Sequence, residues 1–321
     1  MKRIVLLALA VLLLLSSALV FAGGQKEGAA EGAKKWRIAV SLPPANNAWQ
    51  AKLLDSILEE TAKDTDKFEF TVKNAVDDAD QLNMLQTFKG GGYDMIMVLP
   101  GNGTLMTPIC EEIYDAGIPT FIIDRAIEGD KYNVLLMGDN YQCGVNAANY
   151  MGERLGGKGQ IAILRSYVGI PIDLQRYNGF MDTLKAKYPG IKVLVEGDGE
   201  FNQQAGLKAM SNILPAYPKI DAVYCQDDEA AVGAITAIEN ANRKDIKFLT
   251  GYGGSKTAYK LLQEKNPLFG ASMSYWPTMG GDSIRVAKRM FLENYKPPKD
   301  IIQPTYVVTS ENVNQYLDNA Y

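Results

Sequence analysis

The 321-residue sequence contains no histidine. That absence removes the most frequent general base, the most frequent zinc ligand and every triad that depends on imidazole. Cysteine is scarce too: Cys110, Cys143 and Cys225 are far apart, odd in number and each set in an apolar stretch. They read as small buried hydrophobes, with a single disulfide as the alternative. No cysteine or acid cluster has zinc-finger spacing, so neither a metal nor a cofactor is expected. A basic surplus is also missing. With Lys+Arg 33 against Asp+Glu 37, the net charge is -4, so the chain lacks the electropositive face that nucleic acid requires, and a neutral partner fits better. Neither a G-x-S-x-G elbow nor a dinucleotide G-x-G-x-x-G occurs. Residues 152–159 ("GERLGGKG") approach a phosphate loop, but glycine stands where Ser or Thr is required, and the stretch ends a helical pattern rather than joining a strand to a helix.

What is present begins with an export signal. Lys2 and Arg3 precede an apolar run from Ile4 to Leu15, then Ser16, Ser17 and the small-x-small exit Val20-Phe21-Ala22. Residues 1–22 therefore read as a secretory signal cut after Ala22, so the mature protein is expected to be exported, with an uncleaved anchor as the alternative. No cysteine stands near the cut, so lipid attachment is not expected. Residues 23–35 ("GGQKEGAAEGAKK") offer nothing to bury and read as a flexible tether, with structure beginning at Trp36.

From there apolar runs of strand length alternate with stretches of helical periodicity. Strands are expected at 36–42, 68–72, 94–99, 119–123, 133–137, 160–164, 191–195, 221–225, 246–250 and 270–274. Helices are expected at 48–61, 81–88, 105–116, 144–155, 174–188, 204–214, 230–240, 256–264 and 279–294. Short apolar strands alternating with helices form parallel sheets covered on both faces, which is doubly wound α/β architecture. So many strands suit two sheets better than one. Ligands of such sheets bind outside the carboxyl ends of the strands. The segments there carry Asn, Asp, Arg, Gln, Trp and Tyr: "PPANNAW", "DRAIEG", "RSYVGIPIDLQR", "GDGEFNQ", "QDDE", "GYGGS" and "YWPT" among them. Carboxylates and amides hold hydroxyl groups, guanidinium donates to oxygen, and aromatic faces cover C–H surface, so the chemistry suits a neutral polyhydroxylated molecule.

The segments "NNAWQ", "GYDMIMVLP", "GIPTFIIDRAI", "GDN", "QRYNGF", "GEFNQQAGLKAM" and "QDDEAAVGA", in this order and spacing, resemble the periplasmic substrate-binding proteins of ABC sugar importers. The type is that of ribose and galactose receptors, related to the ligand domains of LacI-like repressors. The resemblance covers essentially the whole mature chain. It implies two lobes joined by three crossover strands: residues 36–139 plus 276–304, and 140–275 plus 305–321. Carried over residue by residue, the family's contacts fall on Asn46, Asn47 and Trp49, on Asp124 and Arg125, and on Arg176, Asn202 and Asp228. The family's hinge glutamine corresponds to Tyr275, with Trp276 beside it, and its "GFDG" is "GYGG" here, so Gly253 stands in place of an aspartate. The partners implied are a sugar or polyol, an ABC permease that reads the closed form, and a chemoreceptor as a further candidate. The receptor itself is expected to be monomeric and without catalysis.

Blander readings compete. Asp228 reads equally as a helix cap with Glu229 as its dipole partner, and Asp227 is left open, because adjacent acids point in different directions. Trp49, Tyr275 and Trp276 suit a core, Arg176 a helix surface, and Asp124 with Arg125 a loop ion pair. An exported carbohydrate-active enzyme is the alternative function, with Asp124 and Asp228 meeting across the cleft. A repressor is excluded by the export signal, which stands where a DNA-binding domain belongs. On the receptor reading, replacing Asp228 by alanine abolishes binding and leaves the fold intact.

Overall fold

The computed structural model describes residues 34–321; the expected signal at 1–22 and the tether as far as residue 33 lie outside the described residues. The first sheet contains β1 (Trp36–Leu42), β2 (Phe68–Asn74), β3 (Met95–Val98), β4 (Thr120–Ile123), β5 (Val134–Gly138) and β11 (Asp300–Gln303). The second contains β6 (Lys158–Arg165), β7 (Gly190–Asp198), β8 (Ala222–Cys225), β9 (Phe248–Gly253), β10 (Phe269–Ser274) and β12 (Val307–Val308). The central strands MIMV, TFII and AVYC are buried along their whole length, as continuous apolar runs must be when helices cover both faces.

The order of the first sheet is β11-β5-β4-β3-β1-β2 and that of the second is β12-β10-β9-β8-β6-β7. The two sheets thus repeat one winding. All pairings are parallel except that of β12, which runs antiparallel to β10. Strands β11 and β12 were not expected from the sequence: the first is a half-exposed edge and the second only two residues long.

Helices α1 (Ala48–Thr61), α2 (Asp78–Gly90), α3 (Gly103–Asp115) and α9 (Met279–Leu292) flank the first sheet. Helices α4 (Asn140–Arg154), α5 (Pro171–Lys187), α6 (Gln203–Ala216), α7 (Asp228–Asn240) and α8 (Lys256–Gln263) flank the second. Cys110, Cys143 and Cys225 are all buried and free, and desolvation pushes the Cys110 thiol up to about 12. The reading of them as small core residues holds.

The chain passes between the sheets three times: after β5, after β10 and after β11. These passages are bonded side by side. The Asp139 amide donates to Gln303 O at 3.2 Å, and Ser274 exchanges two bonds with Tyr306, at 2.9 and 2.8 Å. Gly138, the last residue of β5, has no room for a side chain, since a Cβ there overlaps the ring of Tyr275. The ring is therefore seated against bare backbone where the strands cross.

Candidate ligand-binding site

A cavity of about 610 Å³, its mouth included, opens at the carboxyl ends of strands from both sheets. From the first sheet come Asn47 and Trp49, after β1, and Asp124 and Arg125, after β4. The second sheet contributes Arg176 on α5, Asp227 and Glu229 after β8, and Tyr252 and Gly253 at the end of β9. Tyr275 lies between them on the second passage.

Local sequence explains how each group is aimed. Asn47 caps α1, its side chain accepting from the Gln50 amide at 2.9 Å, which sets Trp49 in the helix's first turn. The Trp49 indole donates to Tyr275 O at 2.8 Å. Asp124 adopts the left-handed backbone region (φ 61), which Asp tolerates better than most residues, and its amide donates to Leu136 O at 2.7 Å. This turn ends β4 abruptly and directs a buried carboxylate to the passage, where Tyr275 Oη donates to Oδ1 at 2.6 Å. Burial raises the Asp124 carboxyl above its ordinary range, opposed by the Arg125 guanidinium 3.8 Å away and by the Tyr275 bond.

Arg176 is buried rather than spread over a helix surface. Its Nε donates to Asn140 Oδ1 at 3.0 Å, a second nitrogen donates to Gln226 O at 2.9 Å, and its plane lies over the rings of Tyr252 and Tyr275, 4.8 and 4.9 Å from their centroids. Asn140 Nδ2 in turn donates to Tyr275 Oη at 3.2 Å. A connected chain of polar groups, from the Gln226 carbonyl through Arg176, Asn140 and Tyr275 to Asp124, therefore spans both sheets. Such networks hold side chains in one geometry before any ligand arrives.

The three adjacent acids separate into three roles. Asp227, left open by the sequence, stands in extended conformation as the cap of α7: Oδ1 accepts from the amides of Glu229 at 2.9 Å and Ala230 at 3.2 Å. Its Oδ2 makes no hydrogen bond among the described residues, and the side chain lines the cavity. Burial pushes its carboxyl up to about 6, with the two amides working in the opposite direction. Glu229 lines the cavity and accepts from Gln203 Nε2 at 2.6 Å.

Asp228, expected to be the ligand aspartate, does not reach the cavity. It is fully buried, and its Oδ2 accepts from the amides of Gly254 and Ser255, both at 2.8 Å, and from Ser272 Oγ at 3.0 Å. Its Oδ1 is packed against Gly251, where a Cβ would overlap it, and has no partner among the described residues. One residue after the cap, the chain has turned into the helix, so the side chain points back into the lobe and ties α7 to β9 and β10. Burial raises this carboxyl well above its ordinary value.

Three other expected contacts also stand outside the cavity wall. Asn202 caps α6, accepting from the Ala205 amide at 2.8 Å. Asn46 is exposed before α1. Trp276 turns away from Tyr275 into a cluster with Tyr306 and Tyr316, its indole donating to Tyr259 Oη at 3.0 Å. Conversely, Ile172, Phe201, Tyr252 and Tyr321 line the cavity without having been singled out. "GYGGS" drew notice as a strand end, which was signal enough for Tyr252; Tyr321 carries no local signal. The wall thus offers carboxylate acceptors, guanidinium donors and aromatic faces, a set that binds hydroxyl-rich molecules.

The model for the periplasmic binding protein domain matches residues 38–294. The ribose import binding protein RbsB of Bacillus subtilis is 27% identical over 278 residues, which are 87% of this chain and 88% of that protein. A solute binding protein of an ABC transporter from Bacillus halodurans, solved with bound myo-inositol, is 27% identical with a TM-score of 0.80, over 89% of this chain and 98% of that one. The fructose binding periplasmic domain of a hybrid two component system is 30% identical with a TM-score of 0.78, over 88% of this chain and 93% of that one. The match takes in β1 to β10 and leaves out only the edge strands β11 and β12, and the chain belongs to the periplasmic binding protein domain family.

Proposed function

We propose that this chain is an extracytoplasmic receptor that binds a monosaccharide or sugar-like polyol in the cleft between its sheets and delivers it to an ABC permease. The observation that carries the reading is the composition of one cavity wall: carboxylates, buried guanidinium and aromatic rings, drawn from the carboxyl ends of two identically wound sheets. Relatives that bind ribose and myo-inositol supply the substrate class. The residues assigned to the ligand are Asn47, Trp49, Asp124, Arg125, Arg176 and Tyr275, with Asp227 in the acceptor role first given to Asp228. Each lobe supplies part of the contacts, so a ligand that touches both favours the closed form by its differential affinity. The lobes divide at residues 139–140, 275–276 and 304–305.

The binding protein acts without catalysis, as its relatives are binding proteins. Export with cleavage after Ala22, a monomeric state and a second partner in a chemoreceptor belong to the same reading; the hybrid two component neighbour supports the last. A thermal-shift panel of pentoses, hexoses and polyols, followed by calorimetry on the hits, tests it. A ligand at 100 times its Kd adds about 2.7 kcal/mol of stability. A flat response across the panel overturns the sugar assignment.

A further inference from the structure

We propose that Tyr321 is a ligand-recognition residue: its hydroxyl supplies, from the far end of the sequence, the polar contact that the β9 loop does not make at Gly253. The inference rests on the sugar-receptor reading and assigns one determinant of its selectivity.

Tyr321 lines the same cavity as Asp227, Tyr252 and Gly253. Its backbone is held to the β9–α8 loop: the Lys256 amide donates to Tyr321 O at 2.7 Å, and the Tyr321 amide donates to Gly254 O at 3.4 Å. Gly253 adopts φ +118, a region that L side chains rarely enter, and a Cβ built there overlaps the Tyr321 hydroxyl. The phenol oxygen thus stands where a side chain at position 253 would begin. In that place the resemblance expects an aspartate, which is a pure acceptor; the chain has a phenol instead, which both donates and accepts.

Tyr321 is half-buried, and its hydroxyl, which makes no hydrogen bond among the described residues, is left free for a molecule in the cavity. Burial, and after it the carboxylates Asp227, Asp228 and Glu229, hold the phenol well above its ordinary pKa, so it keeps its proton and can donate. The ionisable acids on the wall accept and its guanidinium groups donate, and the hydroxyls of Tyr252 and Tyr275 are already bonded to Tyr224 and Asp124. A neutral hydroxyl on the ligand satisfies the Tyr321 oxygen in either direction, whereas an apolar ligand leaves it unpaired in the closed cleft.

The test uses the mature protein, with Tyr321→Phe and Tyr321→Ala variants, titrated calorimetrically with the tightest sugar from the panel and with its monodeoxy analogues. Tyr321→Phe keeps the ring and removes only the oxygen. The expected result is a Kd weakened about three- to tenfold in Tyr321→Phe and further in Tyr321→Ala. One deoxy analogue should lose affinity in the wild type and lose nothing further in Tyr321→Phe, the signature of a direct contact in a double-mutant cycle. Wild-type Kd values in Tyr321→Phe for the sugar and every analogue overturn this inference and leave the receptor reading standing. A flat panel for all three proteins overturns both.

Discussion

Tyr275 Oη donates to Asp124 Oδ1 at 2.6 Å, joining the passage that leaves the second sheet to the last turn of β4 in the first. The bond links the two sheets at the cavity wall and gives one oxygen of a carboxylate that burial makes costly a hydrogen-bond donor. Tyr275→Phe should therefore leave Oδ1 unpaired and lower the free energy of unfolding by about 1 to 3 kcal/mol. The check is a urea titration, in which the midpoint falls while the slope is unchanged. An unaltered midpoint means that the bond does nothing for the fold.

Arg176→Lys keeps the charge and loses the plane. Lysine cannot reproduce the bonds to Asn140 and Gln226 or lie flat over the two tyrosine rings. We expect ligand affinity to fall at least tenfold in calorimetry. Retention of wild-type affinity would show that charge alone is needed.

Asp227 sets a dependence on pH with a definite sign. Its carboxyl is raised from 3.8 to about 6 in the fold, so the folded state binds the proton more tightly than the unfolded chain does. Stability from this group is complete below the unfolded value and is lost as pH rises through about 6. Asp227→Asn keeps a capping oxygen and removes the charge. It should raise stability at pH 7 by on the order of 2 to 3 kcal/mol and change little at pH 3.5. Ligand binding runs the other way: the wild type should bind more weakly as pH falls below about 6, because the protonated carboxyl loses an acceptor, while the variant binds weakly at every pH. Parallel melting curves and titrations across this range decide the matter; a variant that melts like the wild type at pH 7 refutes it.

Asp228→Ala should act on the fold. It strands the amides of Gly254 and Ser255 and the hydroxyl of Ser272, which together hold α7 to the second sheet. A loss of about 2 kcal/mol or more is expected, offset in part by release of a costly buried carboxyl. The protein that remains folded should bind ligand within about twofold of the wild-type Kd. Abolished binding with an unchanged melting curve would restore the ligand role first expected of Asp228.

Periodicity made the ladder legible because the buried strands are continuous apolar runs and the helices carry apolar residues at their own spacing. It missed β11 (DIIQ) and β12, which lie at sheet edges where little apolar area marks a strand. At the site, Asp124 and Arg176 were named from the resemblance, and both line the cavity, although α5 begins at Pro171 and puts Arg176 in its second turn. The Asp227–Asp228 pair was not legible, since the choice between cavity and interior depends on donors 26 to 44 residues away in the chain. Tyr275 and Trp276 pose the same problem: neighbours in an extended passage face opposite sides, and only the cluster of Tyr259, Tyr306 and Tyr316 shows which side is the core.

Of the three tryptophans, Trp36 is stacked on Phe291 and Trp276 lies in its tyrosine cluster, while Trp49 alone lines the cavity, with its indole bonded to the carbonyl of a passage residue. On the receptor reading, a molecule that enters the cleft should alter the polarity around that one ring. Its indole emission is then expected to report occupancy without any attached dye.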